Sequence, residues 1–155
     1  MLQKLLIALA LSLLVALPGI AAEPVNADFW AKTAIGGKDT VSYHSPNVKA
    51  THKVETGDKA HEVVYLGATW RFASKESADR FAASPAAYVP QYNGFCANAL
   101  SSGEGLVKTD GNVWDFFGDK LYLFYADGGR QRWLRGDWQK FKIQADTAWK
   151  AAATQ

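Results

Sequence analysis

Val113-Trp114-Asp115-Phe116-Phe117-Gly118-Asp119-Lys120-Leu121-Tyr122-Leu123-Phe124-Tyr125 reads as two β-type runs around a two-residue turn. Alternation in Val113 to Phe117 puts Trp114 and Phe116 on one face. Gly118-Asp119 has the chemistry of a tight turn, and Lys120 to Tyr125 is rich in the Leu, Tyr and Phe that suit a strand. Asp127-Gly128-Gly129 reads as the end of that strand. Upstream, Glu62 to Leu66 and Thr69 to Ala73 form a second predicted hairpin, with Gly67-Ala68 as its turn. Between the hairpins the period changes. Ser74 is a candidate N-cap, Ala78, Phe81 and Ala82 share a helical face, and Ser84-Pro85 restarts the chain until Pro90 stops it. A last helix is capped near Asp137, with Trp138, Phe141, Ala145 and Trp149 at helical spacing. The fold class is α+β, a small antiparallel sheet with hairpins and packed helices. Less regular pieces fill the rest: a short amphipathic start at Asn26 to Lys32, an extended run at Asp39 to His44, and loops over Pro46 to Lys59 and Leu100 to Gly105. Asn93-Gly94 marks a tight turn.

Outward from this region, the first residues have a different character. Lys4 precedes an apolar run from Leu5 to Leu17, broken by Pro18-Gly19 and followed by the small residues of Ile20-Ala21-Ala22. That is the pattern of a secretory signal peptide over residues 1–22, removed after Ala22 or one residue earlier. The expectation is a periplasmic or secreted protein, with residues 23–155 as a single domain and no membrane association after cleavage. About 130 residues remain, enough for a real core. The formal net charge of the whole chain is only +2. Arg130, Arg132, Arg135, Lys140 and Lys142 are interleaved with Asp127, Asp137 and Asp146, so no sustained basic patch exists and a nucleic-acid partner is not expected. The six tryptophans fall inside apolar, periodic segments and read as core rather than as a stacking platform.

Cys96 is the one cysteine of the chain. In an exported protein it has no internal disulfide partner, which leaves three uses: a buried inert thiol, a metal ligand, or a chemically active sulfur. Phe95 and Ala97 beside it permit the first.

Val41-Ser42-Tyr43-His44-Ser45, then Trp70-Arg71-Phe72-Ala73-Ser74, Phe81 and Pro85-Ala86-Ala87-Tyr88 appear in an order that resembles the YHS domain family. Pro90 to Ala97, Gly118 to Leu123, Arg132-Trp133 and Ala145 to Trp149 extend the likeness to its exported single-domain branch. The resemblance implies a small α+β module of the kind suspected of binding metal. It carries over two site residues, His44 and Cys96, with Tyr43 and Ser45 as supporting neighbours. A multi-thiolate site does not carry over, because one cysteine cannot supply it.

Ligand counting bounds the metal reading. Cys96, His44, His52 and His61 are the soft or borderline donors left after cleavage. Closed Cys₄ or Cys₂His₂ zinc sites are therefore impossible in one chain. A Cys96/His44 pair suits Cu(I), while Zn(II) needs help from another histidine, an acidic residue or a second protomer. His52 and His61 read as solvated, Asp39 as a turn residue and Asp146 as a local helix-surface partner. Three classes follow: a metal-handling module, which is the leading expectation; a thiol redox protein with a redox partner protein, since no Cys-x-x-Cys supplies a resolving thiol; and a non-catalytic structural or interaction module. No catalytic residue is assigned, because no third orienting group accompanies Cys96 and His44. Oligomeric state is open at this level.

Overall fold

The computed structural model describes residues 23–154. The signal peptide expected over residues 1–22 lies outside the described residues. In chain order the regular elements are α1 (Pro46–Thr51), β1 (Asp58–Tyr65), β2 (Ala68–Phe72), α2 (Lys75–Ala83), α3 (Ala97–Ser101), β3 (Val113–Phe117), β4 (Lys120–Phe124), α4 (Asp127–Arg135) and α5 (Trp138–Ala153). The fold is α+β, with two antiparallel hairpins rather than one continuous sheet.

The β3–β4 hairpin has the expected turn, with Phe117 opposite Lys120 across Gly118-Asp119. Strand alternation divides its side chains between two hydrophobic cores. Trp114, Phe116, Leu121 and Leu123 face the first core. Val113, Phe117, Tyr122 and Phe124 face the second. The hairpin is thus a partition with a core on each side.

The first core is built from β1, β2, α2 and the chain before α1. Phe81 of α2 lies 5.2 Å from Trp70 and 4.9 Å from Phe72, measured between ring centres. Ser74 caps α2 as expected, accepting the Ser77 amide at 3.1 Å. The β1–β2 turn differs from the sequence reading by one residue. Tyr65 pairs with Ala68, so Leu66 and Gly67 are the central residues, with φ of 51° and 71°. Two positive φ values match the twist of the flanking strands, and the hairpin holds Leu66 in a conformation that leucine alone would avoid.

Three further expectations are corrected for one local reason: side-chain oxygens capture backbone amides and curl the chain. Asp39 is fully buried. Its Oδ1 accepts the amides of Val41 at 2.9 Å and Ser42 at 3.2 Å, and its Oδ2 accepts the Ala73 amide at 2.9 Å. The segment expected to be extended therefore closes into a 3₁₀ turn at Ser42–His44, pinned to the end of β2. Ser45 accepts the Val48 amide and Pro46 opens α1, where a loop was expected. Asp28 accepts the Ala31 and Thr33 amides, so the short amphipathic start expected over Asn26 to Lys32 closes into a tight turn.

The second core gathers α3, α4 and α5 on the other face of the β3–β4 hairpin. Trp133 is its centre, 5.3 Å from Phe117 and 5.2 Å from Tyr122. Asp127-Gly128-Gly129 begins α4 rather than ending a strand. A Cβ on Gly129 would sit 2.8 Å from Asn98 Cβ, so this glycine lets α3 approach. Arg132 donates to Asn98 and Ser101 and lies 3.8 Å above the Phe141 ring, tying α4 to both neighbours. Asp137 caps α5 as expected. Asp146 accepts the Tyr92 hydroxyl at 2.9 Å and Lys142 at 2.6 Å. Trp70, Trp114 and Trp133 are core residues as the sequence indicates, but Trp30 is 89% exposed. Among the described residues, no helix is long and apolar enough to cross a membrane.

Candidate functional site

Cys96 sits at the N-cap of α3, a position that belongs more often to Ser, Thr, Asp or Asn. Its Sγ accepts the Ala99 amide at 3.4 Å, as a capping oxygen would. It also accepts the Tyr125 amide, from just past β4, at 3.2 Å. The Cys96 amide in turn donates to Val107 O at 2.8 Å. The residue is 3% exposed. Even so, it lines a small cleft of about 90 Å³, together with Asn98, Ala99, Glu104, Val107, Tyr125, Ala126 and Gly129. Two N–H groups thus converge on one sulfur, which a thiol's weak acceptor capacity allows.

His44 belongs to a different place. Its ring stands edge-on to Tyr88 at 5.3 Å and to Phe116 at 5.1 Å. Its Nε2 is buried without a hydrogen-bond partner. Burial, and then the nearby Lys49 charge, hold its pKa below the usual 6.5, so the ring is neutral at neutral pH. It borders a cleft of about 360 Å³ between the start of α1 and the first turns of α2, with Ser42, Ser45, Glu55, Ser74, Glu76, Ser77, Arg80 and Tyr88. Three of its serines have local duties. Ser42 Oγ donates to Asp39 O, and Ser45 and Ser74 Oγ cap helices. Glu76 and Arg80 pair with each other at 2.7 Å. Among the described residues no serine is hydrogen-bonded to His44, so the cleft shows no activated nucleophile of the Ser–His kind.

His44 rests against Phe116, on the first-core face of the β3–β4 hairpin, while Cys96 belongs to the second core on the opposite face. The residues lining their two clefts do not overlap. The pair expected as joint ligands is therefore not brought together. Among the described residues, no group of three or more His, Cys, Asp and Glu side chains could hold a metal ion.

The two supporting residues have structural duties. Tyr43 is buried, donates its hydroxyl to Gly111 O at 2.6 Å, and packs edge-on against Trp114. Burial, with Asp110 and Asp39 nearby, pushes its pKa far above the usual phenol value. Ser45 caps α1. His52 is exposed, as expected; it ends α1 in the left-handed conformation, and its ring stacks on Trp114 at 4.6 Å. The Tyr125 amide was not legible as a functional group, since a backbone donor carries no residue signature. The Cys96 cap is legible only in hindsight, from the short Ala97–Ser101 helix that follows it.

Comparison with protein-family models, with curated proteins and with solved structures found no match for this chain.

Proposed function

We propose that this is an exported, YHS-like module whose working atom is the Cys96 sulfur, used as a single-thiol redox site for small oxidants of the peroxide class. One observation carries the proposal: Sγ accepts two backbone amides, and its residue lines a small cleft of about 90 Å³. Those donors fix the position of the sulfur, and a cleft of that size admits a molecule of a few heavy atoms while excluding a folded partner. The chemistry balances within that class. The thiolate attacks one peroxide oxygen, the S–O bond forms as the O–O bond breaks, and the second oxygen leaves as hydroxide and takes a proton. The sulfenic acid then condenses with a low-molecular-weight thiol, releasing water, and a second such thiol regenerates Cys96 by exchange. A metal role for His44 and Cys96 together, with Cu(I) or Zn(II), draws no support from their positions on opposite faces of the hairpin.

The test is the second-order rate of the thiol with hydrogen peroxide, with sulfenic acid trapped by a dimedone probe and located by mass spectrometry. The expected result is a rate well above that of free cysteine at the same pH, with the label on Cys96 and absent from Cys96→Ser. A rate no faster than free cysteine overturns the proposal.

A further inference from the structure

The Cys96 cleft has one Asp, Glu, Lys or Arg in its lining, Glu104. That residue is exposed, and among the described residues its carboxylate takes part in no ion pair. Its place is nonetheless fixed. After α3 the chain doubles back through Gly103 and Gly105, at φ of 78° and 82°, a conformation that glycine adopts readily. The Glu104 amide donates to Ala99 O at 2.9 Å, in the same helix that Cys96 caps. Three residues on, Val107 O accepts the Cys96 amide at 2.8 Å. Two backbone bonds thus hold the Glu104 loop against the segment that carries the sulfur.

The charged neighbours of the lining residues are committed elsewhere. Arg132, outside the lining, donates to Asn98 Oδ1 and Ser101 Oγ and covers the Phe141 ring. Asp127, which follows Ala126, is paired with Arg130 at 2.9 Å, and Arg130 also holds Asp115. Lys108, which follows Val107, donates to Ala27 O. Glu104 remains as the unpaired charge at a cleft of about 90 Å³. A charge lining a cleft with low-dielectric walls acts more strongly on what enters than the same charge on an open surface.

We infer that Glu104 is the specificity-determining residue of this site, admitting neutral oxidants and neutral or ammonium-bearing thiols to Cys96 while holding off anionic ones. This role rests on the redox reading of Cys96 and names the molecules that take each step. Hydrogen peroxide is uncharged and passes. For the second step the favoured thiol is an aminothiol. Its sulfur attacks the sulfenic sulfur of Cys96, the S–S bond forms as the S–O bond breaks, and the hydroxyl leaves as water with the thiol's proton. A second aminothiol attacks that mixed disulfide, which releases the Cys96 thiol and the aminothiol disulfide. Thiols that carry a carboxylate meet Glu104 with like charge.

Methanethiosulfonates of similar size, bearing an ammonium, a hydroxyl or a sulfonate group, are reacted with the protein and, as a free-thiol reference, with N-acetylcysteine amide. Mass spectrometry follows the label on Cys96, and each rate is divided by that of the reference. The expected ammonium-to-sulfonate ratio is about 3–10-fold. It should fall towards unity in Glu104→Gln and in about 1 M salt, and invert in Glu104→Lys. A ratio unchanged in Glu104→Gln, or no labelling of Cys96 by any of the reagents, overturns the inference. These reagents need no prior oxidation of the thiol, so the ratio is read apart from the peroxide rate. A peroxide rate no faster than free cysteine, with the charge ratio intact, removes the redox chemistry and leaves the charge selection standing.

Discussion

Replacing Asp39 with alanine removes the acceptor that turns the chain toward His44 and pins that turn to the end of β2. Three amides point at the carboxylate. The Ser42 amide also reaches Asp39 O at 3.1 Å and keeps that partner. The amides of Val41 and Ala73 are left without one. An orphaned amide in the interior costs about 1–3 kcal/mol, so the expected loss is about 2–6 kcal/mol. For a domain of this size that is a large part of a total of about 5–15 kcal/mol. With a urea dependence of about 2 kcal/mol per molar, the unfolding midpoint falls by about 1–3 M. Asp39→Asn keeps one oxygen for Val41 and Ser42 and presents an amide group to Ala73, so its loss should be about half as large. The assay is urea unfolding followed by tryptophan emission and far-ultraviolet circular dichroism, whose agreement checks two-state behaviour. A midpoint shift below about 0.5 M for Asp39→Ala refutes the reasoning. So does an asparagine variant as unstable as the alanine one.

Cys96→Ser keeps an acceptor for the Ala99 and Tyr125 amides and should cost less than about 1 kcal/mol, whereas Cys96→Ala, which keeps none, should cost about 1–3 kcal/mol. Equal losses in urea titrations would show that the sulfur is not acting as an acceptor. Gly111 has φ of 80°, and an added Cβ would lie 2.7 Å from Tyr43 Oη and 2.9 Å from Ile35 Cγ2. Gly111→Ala should therefore lose about 2–4 kcal/mol through backbone strain and overpacking, measured by thermal unfolding, and a loss below about 1 kcal/mol would contradict the packing described. His44 has a folded pKa below the unfolded 6.5, so the unfolded state binds the proton first as pH falls. Its contribution is present above pH 6.5 and is lost below it, at up to about 1.4 kcal/mol per pH unit. Unfolding titrations between about pH 5 and 7.5 should show this slope shrinking in His44→Phe, which keeps the ring packing against Tyr88 and Phe116; an unchanged slope assigns the dependence to other groups.

Much of the fold was legible where local chemistry and long-range packing agree. The β3–β4 hairpin, its Gly118-Asp119 turn, the Ser74 and Asp137 caps and the spacing of α5 all follow from residue type. The failures share a cause. α1 buries only Val48 and α4 only Trp133, so neither shows an apolar stripe. Glycines at 128 and 129 look like a terminator until Asn98 is seen against Gly129. Trp30 has the composition of a core residue and is kept outside by the Asp28 turn. For the candidate site, the sequence singled out Cys96 and His44 but could not show which core each would join. The alternation of Trp114 and Phe116 against Val113 and Phe117 announces two faces. Only the tertiary structure assigns His44 to one of them and Cys96 to the other.

The position of β3 and β4 late in the chain has a consequence for biosynthesis. The β1–β2 pair and α2 are complete by Ala83, yet Trp70, Phe72 and Phe81 share their cluster with Trp114, Leu121 and Leu123, which leave the ribosome later. Until Leu123 has been made, the earlier segments have only part of the surface that shields them. A nascent chain of this order stays open for most of its translation, which keeps its apolar residues accessible to chaperones and delays collapse until synthesis is nearly finished.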